Sequence, residues 1–169
     1  MNFIGLAAVI TALAMYGVAR YVRHAKTAES IGSVTAIAQH AAEFYNDSDA
    51  NQPAGANRDS AKAMRHFPAA SRASVPADPA DICGKRYQSA IGDWSGAPWI
   101  DLHFSMTQPQ SYAYAFESGG SGASARASAI ARGDLDGNSV RSTFSASVTP
   151  DESMTAKVDP TIARTDPEE

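Results

Sequence analysis

Residues 1–45 read MNFIGLAAVITALAMYGVARYVRHAKTAESIGSVTAIAQHAAEFY, and this stretch decides the fold. Its first charged residue is Arg20. At about 1.5 Å per residue, a helix of the uncharged part alone approaches the ~30 Å thickness of a bilayer's hydrocarbon core. Beyond Arg20, apolar residues recur at helical spacing. We therefore expect one continuous helix that ends near Tyr45, where Asn46 and Asp47 favour a stop.

The two halves of this helix are expected to have different surroundings. Residues 1–22 are apolar on all sides, which favours a membrane span or a bundle of like helices. A buried core helix is the alternative interpretation of such a run. Residues 23–46 carry an apolar stripe on one face, which predicts packing against a head domain. The residues expected to make this helix–head contact are Ile31, Val34, Ile37, Ala41 and Tyr45.

Residues 47–98 predict the loop that leads from the helix to a sheet. They are rich in Pro, Gly, Ala and Ser, a composition typical of loops. One short helix is expected over Ser60–Phe67, because Pro68 cannot continue it. Trp94 and Trp99 are expected to cover the core of the head, with an exposed binding patch as the alternative.

The next part of the chain predicts an antiparallel sheet within residues 99–149. Aromatic and small residues alternate over residues 112–117, as they do in a half-buried strand. Asp136-Gly137 predicts a hairpin turn, because Gly tolerates the positive φ that such turns need. The expected strands are 99–105, 112–117, 125–131 and 139–148. Residues 151–169 are rich in acidic residues and Pro, and we expect a tail there that is loosely held at least from Asp166.

The composition excludes several functional classes. The chain has 169 residues, a net charge of −4 and a single cysteine, Cys83. One cysteine cannot form an internal disulfide or a multi-cysteine zinc site. No basic cluster follows Lys26, so nucleic acid is not an expected partner. The four histidines are scattered, and the sequence has no nucleophile elbow or phosphate loop. We therefore expect a protein that is not an enzyme.

One segment has the spacing of a metal-binding loop. Asp134, Asp136 and Asn138 match the first, third and fifth positions of a calcium loop, where oxygen ligands alternate along the chain. Ser139 and Ser145 stand where such a loop has its glycine and its bidentate glutamate. The missing ligand favours a structural turn without a cofactor, and calcium binding is the alternative.

The order of these pieces resembles that of bacterial type IV pilins and their pseudopilin relatives. Residues 21–29, YVRHAKTAE, are similar to the family's aromatic, basic Lys-Thr-x-Glu passage out of the apolar half. Residues 99–105 and the strand after them are similar to the family's entry into the sheet. Residues 131–138, ARGDLDGN, resemble the Gly-Asp-Leu-Asp-Gly hairpin of pilin-like subunits, particularly the major pilins of myxobacteria-like bacteria. The resemblance covers about residues 1–148.

The resemblance implies an α+β fold in which the long N-terminal helix packs on an antiparallel sheet of about four strands. It implies a structural subunit of a type IV pilus or pilus-like surface filament that supports adhesion and twitching motility. Its partners would be further copies of itself, the pilus assembly machinery and, before assembly, the inner membrane; its final location would be the bacterial cell surface. A type II secretion pseudopilin and a membrane-anchored monomeric binding module are the alternatives. The residues expected to pack in the filament core are Phe3, Ile4, Gly5, Leu6, Val9, Ile10, Leu13, Met15, Gly17 and Val18.

Overall fold

The computed structural model of the chain describes residues 2–47 and 64–167. Its longest element is α1 (Asn2–Asn46), a continuous α-helix of 45 residues. This confirms the single long helix that the sequence predicts, because no Pro interrupts the run. The short helix expected over Ser60–Phe67 falls largely outside the described residues.

The head is built on an antiparallel sheet of five strands. These are β1 (Tyr112–Gly119), β2 (Arg126–Gly133), β3 (Ser142–Pro150), β4 (Ala156–Val158) and β5 (Ala163–Thr165). The strand order is β1-β2-β3-β4, and β5 also pairs with β3. β4 lies along the C-terminal end of β3 and β5 along its N-terminal end. The structure therefore has the predicted α+β layout of one helix and one antiparallel sheet.

The second half of α1 packs across β2, β3 and β4. Ala129 and Ala131 of β2 are fully buried in this contact, as are Ala38 and Ala41 of the helix. The distance between packed elements depends on the side chains at their contact. Alanines on both sides therefore allow the helix to lie close to the sheet.

An aromatic cluster covers the remaining inner face near β1. Trp94 lies 4.9 Å from Trp99 and 5.4 Å from Phe104 between ring centroids, and Phe104 lies 6.0 Å from Tyr114 of β1. Both tryptophans are buried. This confirms that they belong to the core of the head and not to an exposed binding patch.

The strand expected over residues 99–105 is wrong. Residues 97–103 form successive tight turns, in which the Leu102 N–H donates to the carbonyl of Pro98 at 2.9 Å. Pro98, Trp99 and Leu102 are the buried residues of this segment, and this spacing of three to four is helical rather than strand-like. The β-forming composition was overridden by the need to place Trp99 and Leu102 in the core.

The expectation of a tail is wrong for residues 151–165, whereas Asp166 and Pro167 do follow the last strand. Two short strands, β4 and β5, form there and pair with β3. The turn before β4 is held by an ion pair of 2.8 Å between Lys157 Nζ and Asp151 Oδ2. Without these strands the outer edge of β3 would expose unpaired backbone groups, which sheets avoid.

Candidate functional site

From Ile10 to Val22, the described side chains of α1 are uncovered by the rest of the described chain. Large apolar side chains between residues 10 and 22 expose 43–75% of their surface. These are Ile10, Leu13, Met15, Tyr16, Val18, Tyr21 and Val22. Residues 10–22 cover more than three helical turns, so the exposed apolar surface surrounds the helix. A continuous apolar surface of this kind marks a contact with lipid or with another protein.

Small residues between these large ones permit close approach by another helix. Gly17 has open space where a side chain would be, since no heavy atom lies within 4 Å of a Cβ built there. Ala12 and Ala14 lie on the same exposed stretch. Helices that contact one another in a bundle use such positions to bring their backbones together.

The helix enters the head between Arg23 and Ser30. Arg23, Lys26 and Thr27 are half-buried, and Ser30 is the first fully buried residue after them. Ser30 cannot face apolar surroundings unpaired, and its hydroxyl donates to the Thr27 carbonyl at 2.8 Å. The change from full exposure to full burial thus takes about two helical turns.

Three polar contacts fasten the C-terminal end of α1 to the head. His40 Nδ1 donates to the Leu102 carbonyl at 2.6 Å, and the Tyr45 hydroxyl donates to the Gly122 carbonyl at 2.8 Å. The side chain of Asn46 accepts from the Ala156 N–H at 2.8 Å and donates to the Ala156 carbonyl at 3.1 Å. The amide therefore satisfies the free edge of β4 in the manner of a neighbouring strand.

The structure places the predicted contact residues in two groups. Val34, Ile37, Ala41 and Tyr45 are fully buried in the core that helix and sheet share, and Ile31 packs against it. The predicted filament-core residues Ile10, Leu13, Met15 and Val18 are exposed, together with the open position at Gly17. The side chains of Phe3, Ile4, Leu6 and Val9, and the surroundings of Gly5, lie outside the described part.

The predicted hairpin loop is organised by Asp134. Its carboxylate accepts from the Gly137 N–H at 2.7 Å, the Ser139 N–H at 2.9 Å and the Cys83 thiol at 3.0 Å. Burial opposes ionisation, but these hydrogen bonds outweigh it and lower the pKa of Asp134 below its usual value. Gly137 has a φ of +79°, as the turn prediction requires.

Of the other two residues with the calcium-like spacing, Asn138 donates its backbone N–H to the Asp134 carboxylate, while its side-chain oxygen accepts from the Val140 N–H at 2.6 Å. Asp136 accepts from Asn138, from both its N–H and its side-chain amide at 3.1 Å. The hydrogen bonds of Asp134 and Asp136 support the structural turn. Across residues 2–47 and 64–167, no three His, Cys, Asp or Glu side chains come together as a metal site would need.

Cys83 is tied to the same loop. The hydrogen bond to Asp134, with smaller contributions from burial and the carboxylate's charge, raises the pKa of the Cys83 thiol. The Gly84 N–H also donates to the Asp134 carbonyl at 2.9 Å. The thiol thus serves as a hydrogen-bond donor that clamps the hairpin loop, and a raised pKa is the opposite of what a nucleophile needs.

One feature of the surface did not emerge from the sequence. The turns after Pro98 and the end of α1 form a groove of about 430 Å³, here called the acidic groove. It is lined by His40, Glu43, Phe44, Asp47, Ile100, Asp101 and His103. The bond from His40 to Leu102 holds the two walls together. The helix residues that line the groove are spaced i, i+3 and i+4, so they share one face of α1. The groove was not predicted because its second wall belongs to residues 99–105, which were expected to form a strand.

No helix within the described ranges combines the length and the apolarity that a membrane crossing requires. No protein-family model, curated protein or solved structure matches this chain.

Proposed function

We propose that this chain is the structural subunit of a type IV pilus or pilus-like surface filament, and that it polymerises through its N-terminal helix. The observation that carries the proposal is the contrast within α1 between an uncovered apolar half and a half buried on the head. The same contrast is expected of a subunit whose partners are further copies of itself. The order of sequence motifs supports the same assignment.

A filament of such subunits is physically reasonable. The backbone hydrogen bonds of α1 are internal, so the helix can pass from an apolar membrane environment into a bundle of like helices without leaving polar groups unpaired. In such a filament, each contact joins two different surfaces of successive subunits. When the rotation from one subunit to the next does not close a ring, the assembly extends as a helix. The proposed cellular sequence is storage in the inner membrane, extraction by the assembly machinery and display on the bacterial surface, where the filament supports adhesion and motility.

The proposal is tested by removing residues 1–23. The remaining chain keeps every described residue of the buried core, so we expect a folded, soluble monomer that forms no filaments. The matched control removes residues 166–169, which lie after the last strand, and should leave assembly intact. Filaments seen by electron microscopy in the 1–23 truncation would refute the proposal.

Electron microscopy of material sheared from cells that carry the intact protein separates filament formation from simple anchoring. If the intact protein stays monomeric at the cell surface and sheared material contains no filaments, the helix acts only as a tether. A monomeric binding module would then replace the proposed function. A short pseudofilament confined to the cell envelope would indicate a secretion pseudopilin instead.

A further inference from the structure

Two oppositely charged surfaces lie far apart on α1. The basic collar, defined as Arg20, Arg23 and Lys26, lies where the helix leaves the head. The acidic groove lies at the other end of the buried half. The whole chain carries −4, while residues 1–26 contribute three positive charges and no negative one, so residues 27–169 carry −7. The collar is therefore a basic surface on an otherwise acidic protein.

The chemistry of the two surfaces is complementary. The groove combines Glu43 and Asp101 with an apolar side chain, Ile100, which is 57% exposed. Beside the collar, Val22 lies one turn from Lys26 on the same helical face and next to Arg23 in the sequence, so an exposed apolar side chain adjoins two cations. Opposite charges arranged around apolar contacts are typical of specific protein interfaces.

Two cations of the collar and two carboxylates of the groove have no ion-pair partner among the described residues. These are Arg23 and Lys26 of the collar, and Glu43 and Asp101 of the groove. Val22 and Glu43 are 21 residues apart on one straight helix, which separates them by about 32 Å. A contact between collar and groove must therefore join two different molecules.

Such a contact has the geometry that a filament needs. It joins two different surfaces and shifts the second molecule by about 30 Å along the helix axis. A heterologous contact of this kind leaves a free collar and a free groove at the two ends, so addition can continue.

We propose that the acidic groove of each subunit binds the basic collar of a second copy of this chain, with Ile100 packing beside Val22 and with Glu43 and Asp101 facing Arg23 and Lys26. This inference rests on the proposed filament function, and it names the surfaces that set the axial spacing of subunits.

Cysteine cross-linking tests the contact directly. In a Cys83→Ala background, Val22→Cys and Ile100→Cys are introduced together and filaments sheared from cells are oxidised. The intramolecular distance excludes an internal disulfide, which needs Cα atoms within about 7 Å. We expect a ladder of covalent multimers on a non-reducing gel, whereas either single-cysteine control can give dimers at most. Filaments without a ladder would overturn the inference.

Charge reversal provides a second readout. Glu43→Lys with Asp101→Lys should lower the yield of sheared filaments at least about tenfold, because like charges would face each other across the contact. Arg23→Glu with Lys26→Glu should do the same, and the combination of all four should restore assembly. Glu117→Lys, an exposed acid on the outer face of β1, is the matched control and should assemble normally. Melting of each purified chain in detergent shows whether it is folded.

The outcomes separate the two proposals. Absence of filaments in the unmodified protein overturns the proposed function and with it this inference. Filaments in the unmodified protein, with reversed variants that assemble like the Glu117→Lys control, overturn this inference alone. Loss of assembly on collar reversal without loss on groove reversal would assign the collar to an anionic lipid surface, and would also overturn it.

Discussion

The two halves of α1 are the same helix in two different environments. From residue 30 onward, one face is buried on the sheet and fixed by His40, Tyr45 and Asn46. Between residues 10 and 22, larger apolar side chains are left uncovered by the described chain. The more apolar half is thus the exposed one, the reverse of the usual arrangement in a soluble domain.

This difference shows that the helix serves two packing partners. The buried half uses alanines and a few larger residues to fit a sheet of its own chain. The projecting half has no such fitted partner among the described residues, and its apolar surface extends around the helix rather than along one stripe. A surface that is apolar on every side suits several neighbours at once, as in lipid or in a bundle of helices.

The largest expected effect comes from the same substitution made in each half. Ile37→Ala removes a fully buried side chain and should lower the free energy of unfolding by about 2–5 kcal/mol, because a cavity remains. Ile10→Ala changes an exposed side chain and should alter it by no more than about 0.5 kcal/mol. Chemical denaturation of the full chain in mild detergent, followed by the fluorescence of Trp94 and Trp99, measures both. Equal effects would remove the distinction between the halves.

Low pH should reduce the stability of the head before it affects the projecting helix, because the first carboxylate of that helix is Glu29. Because the folded-state pKa of Asp134 is lowered, its stabilising contribution is present above the ordinary carboxyl pKa of about 4. The contribution is lost as the pH falls through the lowered value. Asp134→Asn should cost about 1–3 kcal/mol at pH 7 and progressively less below pH 4.

Melting curves between pH 7 and pH 2 test this dependence. Asp136→Asn is the matched control, because Asp136 is exposed and, among the described residues, accepts from Asn138 alone. It should change the free energy of unfolding by no more than about 0.5 kcal/mol. A difference in free energy of unfolding between the unmodified protein and Asp134→Asn that stays constant over the whole pH range would contradict the assigned role of that carboxylate.

A smaller effect is expected from removing a hydroxyl in each half. Tyr45→Phe removes the hydrogen bond from the Tyr45 hydroxyl to the Gly122 carbonyl, which keeps the Ala125 N–H as a donor, and should cost about 1 kcal/mol. Tyr16→Phe removes a hydroxyl from an exposed side chain and should leave the melting temperature unchanged. Differential scanning calorimetry of the two variants gives the comparison. A neutral Tyr45→Phe would mean that this bond does not help to fix the helix.

The smallest effect concerns two glycines of α1 that both have open space around them, Gly17 and Gly32. Replacing either by Ala should stabilise the helix of the unassembled chain by about 0.5–1 kcal/mol. Circular dichroism measures that gain. The two variants should differ in filament assembly, because a methyl group at Gly17 would separate packed helices while one at Gly32 would not. Equal assembly of both variants would place Gly17 outside the helix–helix contact.

Local patterns were sufficient to predict some parts of the fold. The long helix follows from an uninterrupted run of helix-forming residues, and the hairpin from Asp136-Gly137 between two strands. The central strands were predicted because Tyr112, Tyr114 and Phe116 face the core on alternate positions. In these segments the periodicity of the sequence and the burial of its side chains agree.

Other parts could not be predicted because distant residues control them. Residues 99–105 have β-forming composition, but the aromatic cluster around Trp94 holds them in turns. β4 and β5 are three residues long and carry little pattern of their own, and they are defined by the edge of β3. The acidic groove was missed for the same reason, since one of its walls is the segment expected to be a strand.

The sequence by itself determined that an apolar helix begins this chain and that its character changes near Arg20, because hydropathy and helical periodicity are local properties. Only the tertiary structure decided how far the head covers that helix, which side chains Asp134 organises, and that Glu43 and Asp101 meet in one groove. These features join residues far apart in the chain, and their positions depend on packing energies summed over the whole core rather than on any neighbouring residue.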